Sequence, residues 1–508
     1  MPAVDALLSR YGTAKLRDYV DQLDQPNAPG FQDNEDFIAE VTNYTRETLG
    51  PELGVAISDD LREMSQVLTA NHHGLDTFAQ STQSNLLFSM RKKINGDAVK
   101  TIPVLACGSI PLNNLTYPRG FLIYASNAAS GNAGICKCPL FPDSYKRKLV
   151  SVAGAFTEEM LSRSRVRAGK LAQDGTLGSS LESALNLVLD DFSSIDQTCT
   201  GYSRQATVAN NLFWRRLFRD QSCPAELVHI ELESIVSRLL EKDLFDKSAI
   251  CHQLMFDPEL RARLIENLDG ERGCWQYEKL LQRSSGSDAA TGFHMKDSAQ
   301  GTMFFWGIDA KGRKIPLCFI EGENGKGDEL RGIDDSGQLW VYPFTPVAIA
   351  RSLQDGLLLP SIFTSYLSIS IARGISCIGG YYQADYLPIM RKAVMQALRS
   401  NAGVTVKTIN TRPLRPDLYL SGMQTIGFET DGHLLPAGPL EIMASGGLDA
   451  DQYERIGEVS VLQAHIASLY DTIIDVIPQS GDFHRTKKEI TKLVYAAVGS
   501  EIVTISMD

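Results

Sequence analysis

One stretch constrains the fold more than any other: Ser65 to Ala106. Ser65-Gln66-Val67-Leu68-Thr69-Ala70 reads as a short buried strand, and Asn71-His72-His73-Gly74 as a turn. Thr77 to Lys93 reads as a helix, and Thr101 to Ala106 as a second strand. Strand, glycine-containing turn, helix, strand is a βαβ unit. The handedness of crossovers makes it right-handed and its two strands parallel. The expectation is therefore an α/β protein with a Rossmann-like parallel sheet core, a large helical insertion and helical termini.

Composition narrows the function classes. The 508 residues are 43% hydrophobic and 22% charged, an ordinary globular mix that excludes disorder as the whole-chain answer. Lys and Arg number 49 against 61 Asp and Glu, a net charge of −12 with no basic stripe, which disfavours nucleic acid as the partner. The uncharged run between Asp355 and Arg373 carries Pro360 and several Ser and Thr, so it reads as buried core and not a membrane span. Met1-Pro2-Ala3-Val4-Asp5 lacks the basic and apolar pattern of a secretion signal. Of nine scattered cysteines only Cys136 and Cys138 are close, which fits reduced thiols and a cytoplasmic location. A small-molecule substrate is the expected partner, with no nucleic acid and no membrane; a homo-oligomer is compatible.

The chain divides into five stretches: helical 1–60, the first part of the core at 61–150, a helical insertion or lid at 151–290, the second part of the core at 291–450, and a helical 451–508. Residues 121 to 150 read as irregular. In the insertion, Leu227, Ile230, Ile235 and Leu239 share a helical face, and Asp257-Pro258 is an N-cap followed by proline in the first turn. Met303–Ile308 and Lys314–Ile320 around Asp309-Ala310-Lys311-Gly312-Arg313 predict a hairpin. Val404 to Ile409 predicts a further strand.

Three constellations carry candidate chemistry. The first is Asn71-His72-His73-Gly74-Leu75-Asp76, with two of only eight histidines in the turn between a strand and a helix. Ligands of α/β sheets sit at the carboxyl ends of strands, so imidazoles there can hold an anion or move a proton. His72, His73 and Asp76 are the candidate catalytic residues, with Asn71 and Gly74 beside them. The competing reading is a capped turn whose histidines satisfy nearby carbonyls. The second is Gly108 to Gly120, where Asn113, Asn114 and an anion-gripping Arg119 follow the second strand. An ordinary polar loop explains it equally well. The third is Gly379-Gly380 leading to Tyr382, Gln383 and Tyr386, where paired glycines allow close backbone approach to a ligand. Tight packing of helix on sheet is its competing explanation. Glu321 to Asp328 lacks the spacing of a phosphate-binding loop.

The order of these blocks resembles the bacillithiol-biosynthesis cysteine-adding ligases. The resemblance rests on Val67 to Ala70, Asn71 to Gly74, the helix to Lys93, Ile102-Pro103-Val104, Leu357-Leu358-Leu359-Pro360 and Gly379-Gly380 to Tyr386. It implies a Rossmann-type, nucleotidyltransferase-like core, with a nucleotide as the candidate cofactor. The chain departs from that family in three places. His72-His73 stands where the family has Gln-Gln, Gly108 to Asn114 replaces an acidic-histidine cluster, and residues 450 to 508 are too short for the family's C-terminal coiled coil. The resemblance therefore extends to fold and pocket and does not assign cysteine as substrate. Three functions follow: a biosynthetic ligase or transferase acting on an anionic metabolite, a metal-dependent enzyme using His72, His73 and Asp76, and a non-catalytic binding protein on an enzyme fold.

Overall fold

The computed structural model describes residues 2–23, 34–93, 95–127, 132–195, 199–219, 223–284, 301–323, 325–399, 418–430, 433–469 and 483–507. Five strands form its central sheet: β1 (Gln66–Leu68), β2 (Thr101–Ala106), β3 (Glu226–Glu231), β4 (Ser376–Gly380) and β5 (Tyr419–Ser421). Their order is β5-β4-β1-β2-β3, and every neighbouring pair is parallel. The chain thus starts in the middle, builds outward through β2 and β3, and then returns to build outward on the other side of β1. A doubly wound sheet has this plan, and its loops part company between β1 and β4.

Strands buried on both faces read as continuous apolar runs, and the sheet divides them between two cores. Val67, Leu105, Val228 and Ile230 face one core, shared with helices Glu35–Leu49, Pro51–Glu63 and Leu232–Asp243. Leu68, Ile102, Val104, Leu227 and Ile378 face the other, shared with helix Ala79–Ser89. Each such side chain contributes roughly 1.5–3 kcal/mol when fully buried. Helix Ala79–Ser89 makes the crossover between β1 and β2 and is buried at every position but Gln80. Its polar residues are therefore bonded: Gln83 donates to the carbonyls of Ile426 and Ala437, both at 2.9 Å, and accepts the Ile426 N–H at 3.0 Å.

Two expectations need correction. Residues 121 to 150 are not simply irregular, because Gly120–Asn127 and Asn132–Pro139 pair as an antiparallel ribbon. The 151–290 stretch is not purely helical either, because Glu226–Glu231 is β3, paired with β2 from Thr101↔Glu226 to Ala106↔Glu231. Leu227 and Ile230 fit helical spacing with Ile235 and Leu239, but only the latter two lie in a helix, Leu232–Asp243. Non-local pairing decided the outcome over local periodicity.

Other elements follow the sequence closely. Asp257 caps helix Pro258–Leu268 by accepting the Leu260 N–H at 3.0 Å. Phe305–Ile308 and Lys314–Pro316 form the expected hairpin, with Ile308 opposite Lys314. Cys318–Ile320 leaves it to join a separate three-stranded sheet. The strand expected at Val404 to Ile409 lies outside the described residues. Among the described residues, no helix is long and apolar enough to cross a membrane.

Candidate active site

The pairing of β1 with β2 continues past the strand ends and sets the first wall of the site. The Cys107 N–H donates to the Asn71 carbonyl at 3.0 Å, and the His73 N–H to the Cys107 carbonyl at 2.8 Å. The loops after β1 and β2 thus run side by side on the carboxyl rim. Gly74 turns the first of them with φ +108°, where a Cβ would lie 2.5 Å from the Pro118 side chain.

A cavity of about 860 Å³ opens between these loops and the start of helix Tyr381–Arg399, which follows β4. That volume suits a ligand of nucleotide size. Its lining includes Asn71 and His72 after β1, Cys107, Ser109, Asn114 and Thr116 after β2, and Gly380, Tyr382, Gln383 and Tyr386 after β4. The loop 270–276 forms another wall, with Arg272 stacked 3.9 Å from the Tyr382 ring centre. It is the part of the 151–290 stretch that reaches the cavity.

The sequence candidates separate sharply. His72 lines the cavity, with Nδ1 3.1 Å from Thr116 Oγ1. Burial, above all, lowers its imidazole from the ordinary range; Lys314 adds to that and Asp76 opposes it. His73 points the other way, since successive residues of an extended segment face opposite sides. It is fully buried, stacks on His229 with ring centres 5.3 Å apart, and lies 3.0 Å from the Ser203 carbonyl. Asp76 is turned into the same network, accepting from Asn71 Nδ2 at 3.2 Å and facing His229 Nε2 at 3.5 Å. His72, His73 and Asp76 therefore do not converge as metal ligands. Among the described residues, no group of three or more His, Cys, Asp or Glu is placed to hold a metal ion.

Arg119 does not reach the cavity. It is buried, donates through Nε to the Phe141 carbonyl at 2.8 Å and pairs with Asp143. Asn113 is exposed outside the lining, and its neighbour Asn114 faces inward. Gly379 stays beneath the surface because Gln383 occupies its side-chain space, with Oε1 2.1 Å from where a Cβ would lie. Gln383 is held in place by Thr69 Oγ1 at 2.9 Å and the Tyr366 hydroxyl at 2.6 Å, and donates to the Cys377 carbonyl at 3.0 Å.

Two features of the site went unread in the sequence. Lys314, from the 305–316 hairpin, lines the cavity with Nζ 4.4 Å from the Trp306 ring centre. Burial lowers its ammonium despite the nearby Glu233 carboxylate. Glu233 itself braces the loop after β2, accepting the N–H groups of Gly108 at 2.7 Å and Ser109 at 2.9 Å and the Cys107 thiol at 3.2 Å. Only an isolated Lys beside a hairpin glycine marked the first of these. Comparison with protein-family models, curated proteins and solved structures finds no match to this chain.

The buried histidine gives a pH prediction. Burial pushes His73 down to about 3, with the neighbouring His229 adding to the effect. The folded state thus resists a proton that the unfolded chain accepts below about 6.5. Its contribution is complete above that value and falls as pH drops toward 3, by about 1.4 kcal/mol per unit. Denaturant unfolding at pH 6.5 and pH 5 should show a loss of about 2 kcal/mol that His73→Asn lacks. Equal acid sensitivity in the two proteins contradicts the assignment.

Proposed function

We propose that this chain is a cytoplasmic enzyme of small-molecule biosynthesis, transferase-like or ligase-like, acting on an anionic metabolite in a Rossmann-type pocket. The carrying observation is the position of the cavity, at the carboxyl rim where the loops after β1 and β4 diverge. Parallel sheets of this plan bind their ligands there. Lys314 favours an anion, because it lines the cavity and no carboxylate lies within ion-pair distance of it among the described residues. His72, on the adjoining wall, supplies a group that can move a proton. The block order shared with the bacillithiol cysteine-adding ligases supports a ligase with a nucleotide as cofactor. In this reading the 151–290 stretch is an insertion that closes on the cavity through the 270–276 loop.

A thermal-shift panel of nucleotides, sugar phosphates and carboxylates, each beside its uncharged analogue, tests the reading. A true ligand at 100 times its dissociation constant adds about 2.7 kcal/mol of stability. If no anionic compound raises the midpoint above its uncharged analogue, the anionic assignment is lost.

A further inference from the structure

The hydrogen bonds around His72 favour one tautomer. The backbone N–H of Thr116 donates to Asn114 Oδ1 at 3.2 Å, which fixes the orientation of that amide. The Thr116 hydroxyl lies 3.3 Å from the same oxygen and 3.1 Å from His72 Nδ1, and it can give its one proton to either. With that proton on Asn114 Oδ1, Thr116 Oγ1 accepts from His72 and Nδ1, 3.1 Å away, is the N–H. That leaves the lone pair on Nε2. The one ring contact that meets hydrogen-bond geometry runs through Nδ1, Asn114 supports the ring from the same loop, and Nε2 is not one of the sealed buried atoms.

The reactive groups nearest the loop after β2 are less suited to act as base. The Cys107 thiol donates to Glu233, and burial pushes it up, so it rests protonated. Glu233 already accepts two backbone N–H groups and the Cys107 thiol, and it lies behind the cavity wall, not in its lining. Lys314 is the cation of this wall.

We infer that His72 acts through Nε2 as the general base of this cavity, positioned by Thr116 and Asn114, and that Lys314 stabilises the oxyanion formed in the reaction. This rests on the reading of the cavity as an active site and extends it to the substrate class. The class is an acceptor hydroxyl or amine together with an acyl or phosphoryl donor. The acceptor's proton passes to Nε2 as its oxygen or nitrogen bonds to the electrophilic carbon or phosphorus. The displaced electron pair moves onto the donor's oxygen, facing Lys314. Collapse expels the leaving group, which takes the proton back from Nε2, so no oxidant, reductant or further reactant is needed. Lys314 serves as a charge partner in this scheme and Thr116 and Asn114 as positioning residues.

The charged groups acting on His72 are Lys314 and Asp76, with burial the largest influence. The test is nitrogen NMR of the full chain labelled in histidine, with the His72 signals assigned by their loss in His72→Gln. The wild-type protein should show the Nδ1–H tautomer titrating below the ordinary histidine range. Thr116→Val should shift the tautomer toward Nε2–H, and Lys314→Met should raise the titration midpoint. Inorganic phosphate, used as the probe anion, should perturb the His72 signals with an affinity at least tenfold weaker in Lys314→Met. A wild-type Nε2–H tautomer overturns the base assignment. A midpoint unmoved by Lys314→Met, or equal phosphate affinities, overturns the part given to Lys314. Tautomer and midpoint belong to the free protein, so they fail or stand independently of the metabolite panel.

Discussion

His72→Ala should lower turnover by about 10²–10⁴-fold, the usual loss on removing a general acid or base, and leave the fold nearly unchanged. The side chain is held at the cavity wall by Thr116, with support from Asn114, and losing such a hydrogen bond costs roughly 1 kcal/mol. His73 supplies the contrast. It is sealed between His229 and Ser203 and takes no part in the cavity lining, so its replacement should cost stability. The measurement is steady-state kinetics with the substrate found by ligand stabilisation, run beside denaturant unfolding. A variant that keeps turnover within a few-fold of wild type removes His72 from the chemistry. If His72→Ala instead loses stability and keeps its rate, the histidine is a turn cap.

Local chemistry made part of this legible in the sequence. β1, the Gly74 turn, the helix and β2 follow one another within a short stretch, and each carries its own signal: apolar runs for the strands and a positive-φ glycine for the turn. The loops after β1, β2 and β4 supply part of the cavity because the strand ends place them together. β3 was illegible because its strand character comes from pairing with β2, far away in the chain. The direction of a side chain was equally hidden. Arg119 has the chemistry to grip an anion, but the Phe141 carbonyl and Asp143 claim it. Adjacent histidines look equivalent as letters, yet an extended backbone sends one to the cavity and the other to the core. Lys314 reaches the site from a hairpin that no local pattern ties to β1.

Arg373→Met should destabilise the protein by about 3–5 kcal/mol, the cost of removing one partner from a buried ion pair. The guanidinium is 5% exposed and lies just before β4. Its Nε bonds both Asp36 oxygens at 3.0 Å, and its two terminal nitrogens bond the Asp243 oxygens at 2.8 and 3.0 Å. Asp36 sits in the first turn of helix Glu35–Leu49, and Asp243 closes helix Leu232–Asp243. One side chain therefore ties two helices to the approach of the strand whose end forms the cavity. Methionine fills similar volume but leaves the Asp243 carboxylate buried without a countercharge, and lysine lacks the planar fork to serve both acids. A loss of this size is a large share of the 5–15 kcal/mol that holds a typical domain folded. Should Arg373→Met fail to fold, the double variant with Asp243→Asn keeps the question open to measurement. Neutralising the stranded acid should recover part of the loss. Denaturant midpoints for the wild type and both variants at pH 8 measure both effects. A single variant within about 1 kcal/mol of wild type at pH 8 shows that the cluster contributes little to the fold.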